Sequence, residues 1–184
     1  MLYHIKSRYI LCLIIVLVSC QSKKKADTII DSNFETIESR NNFLETISDS
    51  DQGIRDQNNS ANFNEQENHE FWVKVVKTDS INLIKIDHYL NQFGYPDTIN
   101  YTEKARKAPW YVIQHCTKLD SRIKYYNLLK RAYESSEIRN IDFYLYLQRN
   151  YYFKNKKMLG IENNASYTFE EKIAIFQDAL GYEK

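Results

Sequence analysis

The stretch "TEKARKAPWYVIQHC", residues 102–116, decides the fold. Its small and apolar residues recur at positions i, i+3, i+4, i+7, i+8 and i+11, which is the spacing of one face of an α-helix. They are Ala105, Ala108, Pro109, Val112, Ile113 and Cys116. A proline inside a helix removes a backbone hydrogen bond and costs about 3 kcal/mol. The pattern therefore predicts either a helix kinked at Pro109 or one that begins near Ala108, with Pro109 in its first turn.

The segment before this stretch, residues 71–93, is predicted to hold two helices. Its apolar residues at helical spacing are Phe71, Trp72, Val75, Val76, Leu83, Ile86, Leu90 and Phe93. Asp79 or Ser80 is a suitable N-cap for the second helix. Gly94 followed by Pro96 is a typical helix end, because glycine adopts the left-handed conformation easily and proline cannot continue the helix.

The segments after residue 116 also indicate helices. Asp120 or Ser121 is expected to cap one of them, and its inward residues are predicted to be Ile123, Tyr126, Leu129 and Tyr133. Residues 141–153 fit both a helix and a strand, and their helical neighbours favour a helix. Thr168 and Glu171 form a capping box before a last helix, whose stripe is Phe169, Ile173, Phe176 and Leu180. Residues 67–184 are therefore predicted to form an all-α domain of about five to six helices.

The N-terminus resembles a bacterial lipoprotein signal peptide. Residues 10–18 are apolar and follow Lys6 and Arg8. This run is shorter than the roughly 20 residues that span a membrane, and it fits the apolar part of a cleaved signal. Residues 17–20, Leu-Val-Ser-Cys, resemble the lipobox, which implies removal of residues 1–19 and acylation of Cys20, with palmitate-type chains inserted in the bilayer. Gln21 in place of an aspartate suggests the outer membrane; an ordinary cleaved signal and a short uncleaved anchor are the alternatives.

Residues 20–66 are predicted to form a flexible tether after the lipidated cysteine. Residues 21–66 hold five basic and nine acidic residues and few apolar ones, a composition typical of disorder. One alternative remains, because five apolar residues of the tether keep helical spacing: Ile30, Phe34, Ile37, Leu44 and Ile47. They indicate either a transient helix or an amphipathic helix that docks on the domain or on a partner.

Few residues indicate chemistry. His69, His88 and His115 are widely spaced, and only four glycines occur in the chain, so neither a metal site nor a phosphate-binding loop is predicted, and no cofactor is expected. The domain carries 18 basic and 15 acidic residues, which does not favour nucleic-acid binding. His115 lies at the edge of its apolar stripe. It is interpreted either as a structural histidine or as a general acid or base.

Several motifs resemble those of an uncharacterised bacterial domain family, whose members carry D-x-x-N, G-W-P, A-x-x-A-A-W-x-x-x-Q-H, an Asp-Arg pair and a closing Q-x-Y-G-T. The matching residues are Asp79, Asn82, Gly94, Tyr95, Pro96, Ala105, Ala108, Trp110, Gln114 and His115. Gln148 and Arg149 stand where the family has Asp-Arg, and the closing motif is missing. The resemblance covers about residues 79–160. It implies a helical fold without an established activity, and it implies that this chain has lost parts of any polar site of the family.

These observations lead to two hypotheses of function. The first is a lipid-anchored envelope protein whose helical domain binds or scaffolds, with the bilayer and an envelope protein as partners. It predicts an exposed apolar or aromatic patch. The alternative is an enzyme, such as a hydrolase, that uses His115 with Asp79, Asn82 or Arg149. It requires His115 within about 4 Å of a carboxylate in an open pocket, an arrangement that we expect to be absent.

Overall fold

The computed structural model describes residues 34–59 and 63–182, and these residues form seven helices and no strand. The helices are α1 (Ile37–Asn59), α2 (Glu65–Phe93), α3 (Glu103–His115), α4 (Leu119–Ile123), α5 (Tyr126–Glu134), α6 (Asn140–Asn155) and α7 (Phe169–Leu180). The predicted all-α fold is confirmed, with six of these helices beginning at or after Glu65. No helix in the described ranges has the length and apolarity to cross a bilayer. The predicted signal peptide and Cys20 lie outside the described residues.

Helix α1 corrects the predicted boundary between tether and domain. Leu44 and Ile47 are 0% and 1% exposed and belong to the hydrophobic core. The helix packs mainly on α3 and also on α2. The tether prediction is therefore wrong for residues 34–59, and the alternative of a docked amphipathic helix is correct for them. Burial of two large aliphatic side chains stabilises this segment by about 1.5–3 kcal/mol each, which its polar composition conceals.

Helix α2 is a single helix of 29 residues rather than the two that the sequence predicts. Its N-cap is Asn64, which forms a capping box with Glu67. Neither expected internal cap acts as one: Ser80 donates to the carbonyl of Val76 at 2.8 Å, and Asp79 pairs with a residue of α1. The helix ends as predicted at Gly94, whose φ of 74° favours glycine.

Helix α3 resolves the question about Pro109. It begins at Glu103, capped by the Thr102 side chain, so Pro109 is the seventh helical residue and the alternative start near Ala108 is wrong. The predicted stripe is buried, with Ala105, Ala108 and Ile113 each 0% exposed. Helix α3 contacts α1, α2 and α6. This central position explains why small residues lie on its buried face.

The remaining helices depart from prediction in several respects. The single helix expected after Asp120 or Ser121 is two helices, α4 and α5, and neither expected residue is the cap, because α4 has Lys118 at its N-cap. Ile123 is 40% exposed, and its neighbour Arg122 is fully buried instead. Helix α6 buries residues around most of its circumference, which removes any clear periodicity and explains the ambiguity between helix and strand. Helix α7 has the predicted capping box of Thr168 and Glu171 and packs on α6, although Phe169 is 41% exposed.

Candidate functional site

A buried carboxylate lies against the imidazole of His115. Helix α1 contributes Asp51, whose side chain is 0% exposed, and His115 is the last residue of α3. The His115 Nδ1 lies 2.9 Å from Oδ2 and 3.1 Å from Oδ1 of Asp51. Because a carboxylate only accepts hydrogen bonds, Nδ1 donates and Nε2 is the nitrogen left for other partners. The His115 side chain is 21% exposed, so the imidazole is partly accessible.

Arg55 joins this pair to a second carboxylate. Its Nη1 lies 3.2 Å from Asp51 Oδ1 and donates to the Asp51 carbonyl at 2.7 Å. Its Nη2 lies 2.7 Å from Asp79 Oδ1 on α2. One guanidinium therefore crosslinks α1 to α2 and pairs with two carboxylates, one completely buried and one partly buried.

The side chains of Asp51, Asp79 and His115 also have the donor types of a metal site. One ligand atom from each lies within 4.8 Å of the others. The guanidinium of Arg55 already supplies the positive charge and the donors for both carboxylates. A cation would have to displace Arg55, so the arrangement fits an ion-pair network better than a metal centre.

The other two predicted candidates occupy different positions. Asn82 is 2% exposed on α2, and its Nδ2 has no hydrogen-bond partner among the described residues. Arg149 on α6 is half-buried; desolvation lowers its pKa, nearby Arg55 lowers it further, and Asp79 opposes them. We call Asp51, Arg55, Asp79 and His115 the polar cluster. The structure thus places His115 and Asp79 in this cluster. Arg149 interacts with its charges at longer range, and Asn82 forms no hydrogen bond with it.

The residues of the Gly-Tyr-Pro and Trp-x-x-x-Gln-His motifs have structural contacts. Trp110 Nε1 donates to the Asp142 carbonyl at 2.8 Å. Gln114 Oε1 accepts from Arg122 Nη2 at 3.0 Å. Gly94 ends α2, and Pro96 is buried in the loop that follows. These side chains fix the ends of α2 and α3.

An apolar groove runs along α6 next to the cluster, and we call it the α6 groove. Its volume is about 340 Å³. Its lining residues are Gln114, Leu145, Gln148, Arg149, Tyr152, Phe153 and Met158. Tyr152 and Met158 are 46% and 51% exposed. Arg149 forms no hydrogen bond or ion pair with any described residue, and its guanidinium carbon lies 5.5 Å from the Phe153 ring centroid.

A second exposed apolar surface lies on the first half of α2. Trp72, Val73 and Val76 are 50%, 56% and 63% exposed. The predicted stripe of this segment is correct only for Phe71 and Val75, which are buried. Exposed apolar and aromatic side chains, the feature expected of a binding module, are therefore present here and in the α6 groove.

The requirement set for an enzyme is met in part. The distance of 2.9 Å between His115 and Asp51 is below 4 Å, so the distance part of the requirement is fulfilled. The partner carboxylate is completely buried, however, and His115 lines neither the α6 groove nor a second cavity beside Trp110.

Sequence reasoning missed Asp51, Arg55 and the α6 groove. Asp51 and Arg55 are four residues apart, an i, i+4 pair on one helix face, and this spacing was the available signal. Comparison of the chain with protein families, with curated proteins and with solved structures finds no match.

Proposed function

We propose that this protein is a lipid-anchored protein of the bacterial cell envelope whose helical domain binds a small amphipathic ligand in the α6 groove. The anchor follows from the N-terminal sequence, in which a basic flank and an apolar run precede Cys20. Gln21 favours the outer membrane as its location. The binding function is carried by one observation, a half-buried arginine at an apolar groove that forms no hydrogen bond or ion pair with any described residue.

The composition of the groove supports a ligand with two unlike ends. Leu145, Tyr152, Phe153 and Met158 offer apolar contacts, and Gln148 and Arg149 offer polar ones. A volume of about 340 Å³ lies in the range of small-molecule sites, roughly 300–1,000 Å³. Because a desolvated guanidinium prefers a charge-assisted bond, we expect an anionic head group on Arg149 and an apolar tail on the aromatic rings.

Binding of dodecanoate and dodecanol to the purified full-length chain tests this proposal. The two probes share a tail, and only dodecanoate carries a negative charge. We expect dodecanoate to bind about tenfold tighter, the effect of one charge-assisted bond, and Arg149→Gln to abolish that advantage. Arg131→Gln is the matched control, because Arg131 is an exposed arginine on α5. Equal affinities for the two probes, or an equal loss in both variants, would refute the assignment.

The anchor has its own test, which does not depend on the ligand. Mass spectrometry of the native protein is expected to find residues 1–19 removed and Cys20 carrying a diacylglycerol and an amide-linked acyl chain. Cys20→Ala is expected to keep residues 1–19 and to lose membrane association. An intact N-terminus in the wild-type protein contradicts the anchor and leaves the groove proposal standing.

A second candidate function is hydrolysis with His115 as general base, and the bond between His115 and Asp51 favours it. The carboxylate holds Nδ1, as an orienting acid does in a catalytic triad, so Nε2 is the nitrogen that takes a proton. p-Nitrophenyl acetate is a suitable probe. Turnover above background that His115→Gln and Asp51→Asn both abolish supports this candidate, and turnover that survives both substitutions excludes it.

A further inference from the structure

A small cavity lies along the first two turns of α3, and it shares no lining residue with the α6 groove. Its volume is about 130 Å³, room for about four water molecules at roughly 30 Å³ each. Tyr95 and Trp110 form aromatic walls. The remaining side chains that matter for its chemistry are charged, three of them cations and three carboxylates: Glu103, Arg106, Lys107, Glu137, Arg139 and Asp142.

Four of these six charges are already paired. Lys107 Nζ lies 2.5 Å from Glu103 Oε1, one turn apart on α3. Arg139 donates from Nε and Nη2 to the two carboxylate oxygens of Asp142, at 2.7 Å and 2.8 Å. The second of these pairs is bidentate, which holds both side chains in place, and neither pair needs a ligand to balance its charges.

Arg106 and Glu137 are the two charges without a partner. The Nε of Arg106 is buried and has no hydrogen bond, and its guanidinium forms no ion pair with any described residue. The Glu137 carboxylate likewise accepts no hydrogen bond from the described part of the chain. Desolvation raises the pKa of Glu137, nearby Asp97 raises it further, and Arg106 counteracts them. The charge of Arg106 therefore acts on the Glu137 carboxylate, although no hydrogen bond or ion pair joins the two side chains.

Hydrogen bonds fix the surroundings of the two unpaired side chains. The Tyr95 hydroxyl donates to the Arg106 carbonyl at 2.8 Å, and Trp110 Nε1 donates to the Asp142 carbonyl. The backbone of Arg106 and the aromatic walls are therefore fixed before a ligand arrives, which lowers the entropic cost of binding. A buried donor without a partner costs about 1–3 kcal/mol, and a ligand acceptor would remove that cost.

We propose that this cavity binds a small zwitterion, an α-amino acid with a short side chain, whose carboxylate pairs with Arg106 and whose ammonium group pairs with Glu137. The carboxylate matches the fork of the guanidinium. A compound with only one of the two charges leaves either Arg106 or Glu137 unpaired. The site is independent of the α6 groove, so each can fail without the other.

The chain offers a built-in reporter for the test. It contains two tryptophans, and Trp72→Phe leaves Trp110, at the cavity wall, as the single tryptophan, which can be excited selectively over the tyrosines. In this background, glycine and L-alanine are titrated against acetate and methylammonium, using the full-length protein in detergent. We expect the two amino acids to change Trp110 emission saturably at millimolar concentrations, and the two half-ligands to bind at least tenfold more weakly.

Variants assign the two contacts. Arg106→Gln and Glu137→Gln are each expected to weaken glycine binding about tenfold or more. Arg106→Lys keeps the charge without the fork and is expected to have intermediate affinity. Arg131→Gln is the control, and far-UV circular dichroism identifies any variant that fails to fold. Saturable binding that follows this order supports the proposal. Acetate binding as tightly as glycine, glycine binding that is equal in the Arg106→Gln and Arg131→Gln proteins, or no response to either amino acid overturns it.

Discussion

Replacement of Arg122 by methionine tests whether a buried cation stabilises this fold. Arg122 is 0% exposed and is the largest fully buried side chain of the described residues. Its Nε donates to Asn150 Oδ1, its Nη1 to the Ile113 and Gln114 carbonyls at 2.7 Å and 2.9 Å, and its Nη2 to Gln114 Oε1 and the Tyr146 carbonyl. No carboxylate is among these acceptors, so the side chain links α3 to α6 through neutral groups.

The expected loss follows from two opposing effects. Methionine has a similar length but no donors, and it leaves the acceptors Asn150 Oδ1 and Gln114 O without the guanidinium, at about 1–3 kcal/mol each. Burial of the cation is itself unfavourable, because desolvation lowers the pKa of Arg122 to about 10, and methionine relieves part of that cost. We therefore expect a net loss of about 2–4 kcal/mol in the free energy of unfolding. For a unit of this size the melting temperature should fall by roughly 4–16 °C.

Urea unfolding followed by far-UV circular dichroism measures this loss directly. Arg131→Met is the matched control, because Arg131 is exposed on α5 and should change stability by no more than about 0.5 kcal/mol. An Arg122→Met protein as stable as the control, or more stable than wild type, would refute the reasoning. It would mean that desolvation of the guanidinium outweighs its hydrogen bonds.

Three further changes have expected outcomes in the same assay. Leu44→Ala on α1 should cost about 2–5 kcal/mol, because Leu44 is 0% exposed; a loss below about 0.5 kcal/mol would favour the original tether prediction. Thr168→Ala removes the N-cap of α7 and should lower stability by about 1 kcal/mol, and no change in the melting temperature would contradict its capping role. Burial alone would raise the pKa of Asp97, but hydrogen bonds from Asn100 and from the Ile99 amide outweigh it and lower that pKa. The stabilisation from Asp97 should therefore be complete above the usual aspartate pKa of about 4 and should disappear as the pH falls through the lowered value. A stability difference between wild type and Asp97→Asn that does not shrink below pH of about 4 would exclude this contribution.

The sequence predicted correctly those helices that have recognisable capping residues or one regular apolar stripe. Thr168 and Glu171 predicted the start of α7, and Gly94 predicted the end of α2. The stripe of α3 was readable because it is buried on one face only. Pro109 did not stop this helix, so its cost of about 3 kcal/mol is outweighed by the burial of the helix between α1, α2 and α6.

The features that sequence reasoning missed depend on long-range pairing. From the sequence alone, Arg122 would be expected at the surface, as most arginines are. In the structure it is buried because carbonyls at the end of α3 accept its hydrogen bonds. Asp51 lies in a polar stretch whose composition is typical of a tether. Its carboxylate is nevertheless completely buried, because Arg55 compensates its charge and His115 donates a hydrogen bond to it. The composition of a segment does not distinguish such buried polar residues from exposed ones. A pairing between side chains 64 positions apart leaves no mark on local composition or periodicity.

The position of α1 links the proposed anchor to the candidate site. Because residues 34–59 belong to the folded domain, only residues 21–33 separate Cys20 from Phe34, instead of the 46 residues of the original tether. At no more than about 3.6 Å per residue, the fourteen steps from position 20 to position 34 extend at most about 50 Å. The same helix supplies Asp51 and Arg55 to His115. The first described helix after the proposed anchor is therefore the one that also assembles the polar cluster. Loss of α1 packing should then disturb the His115 environment even though His115 lies on α3.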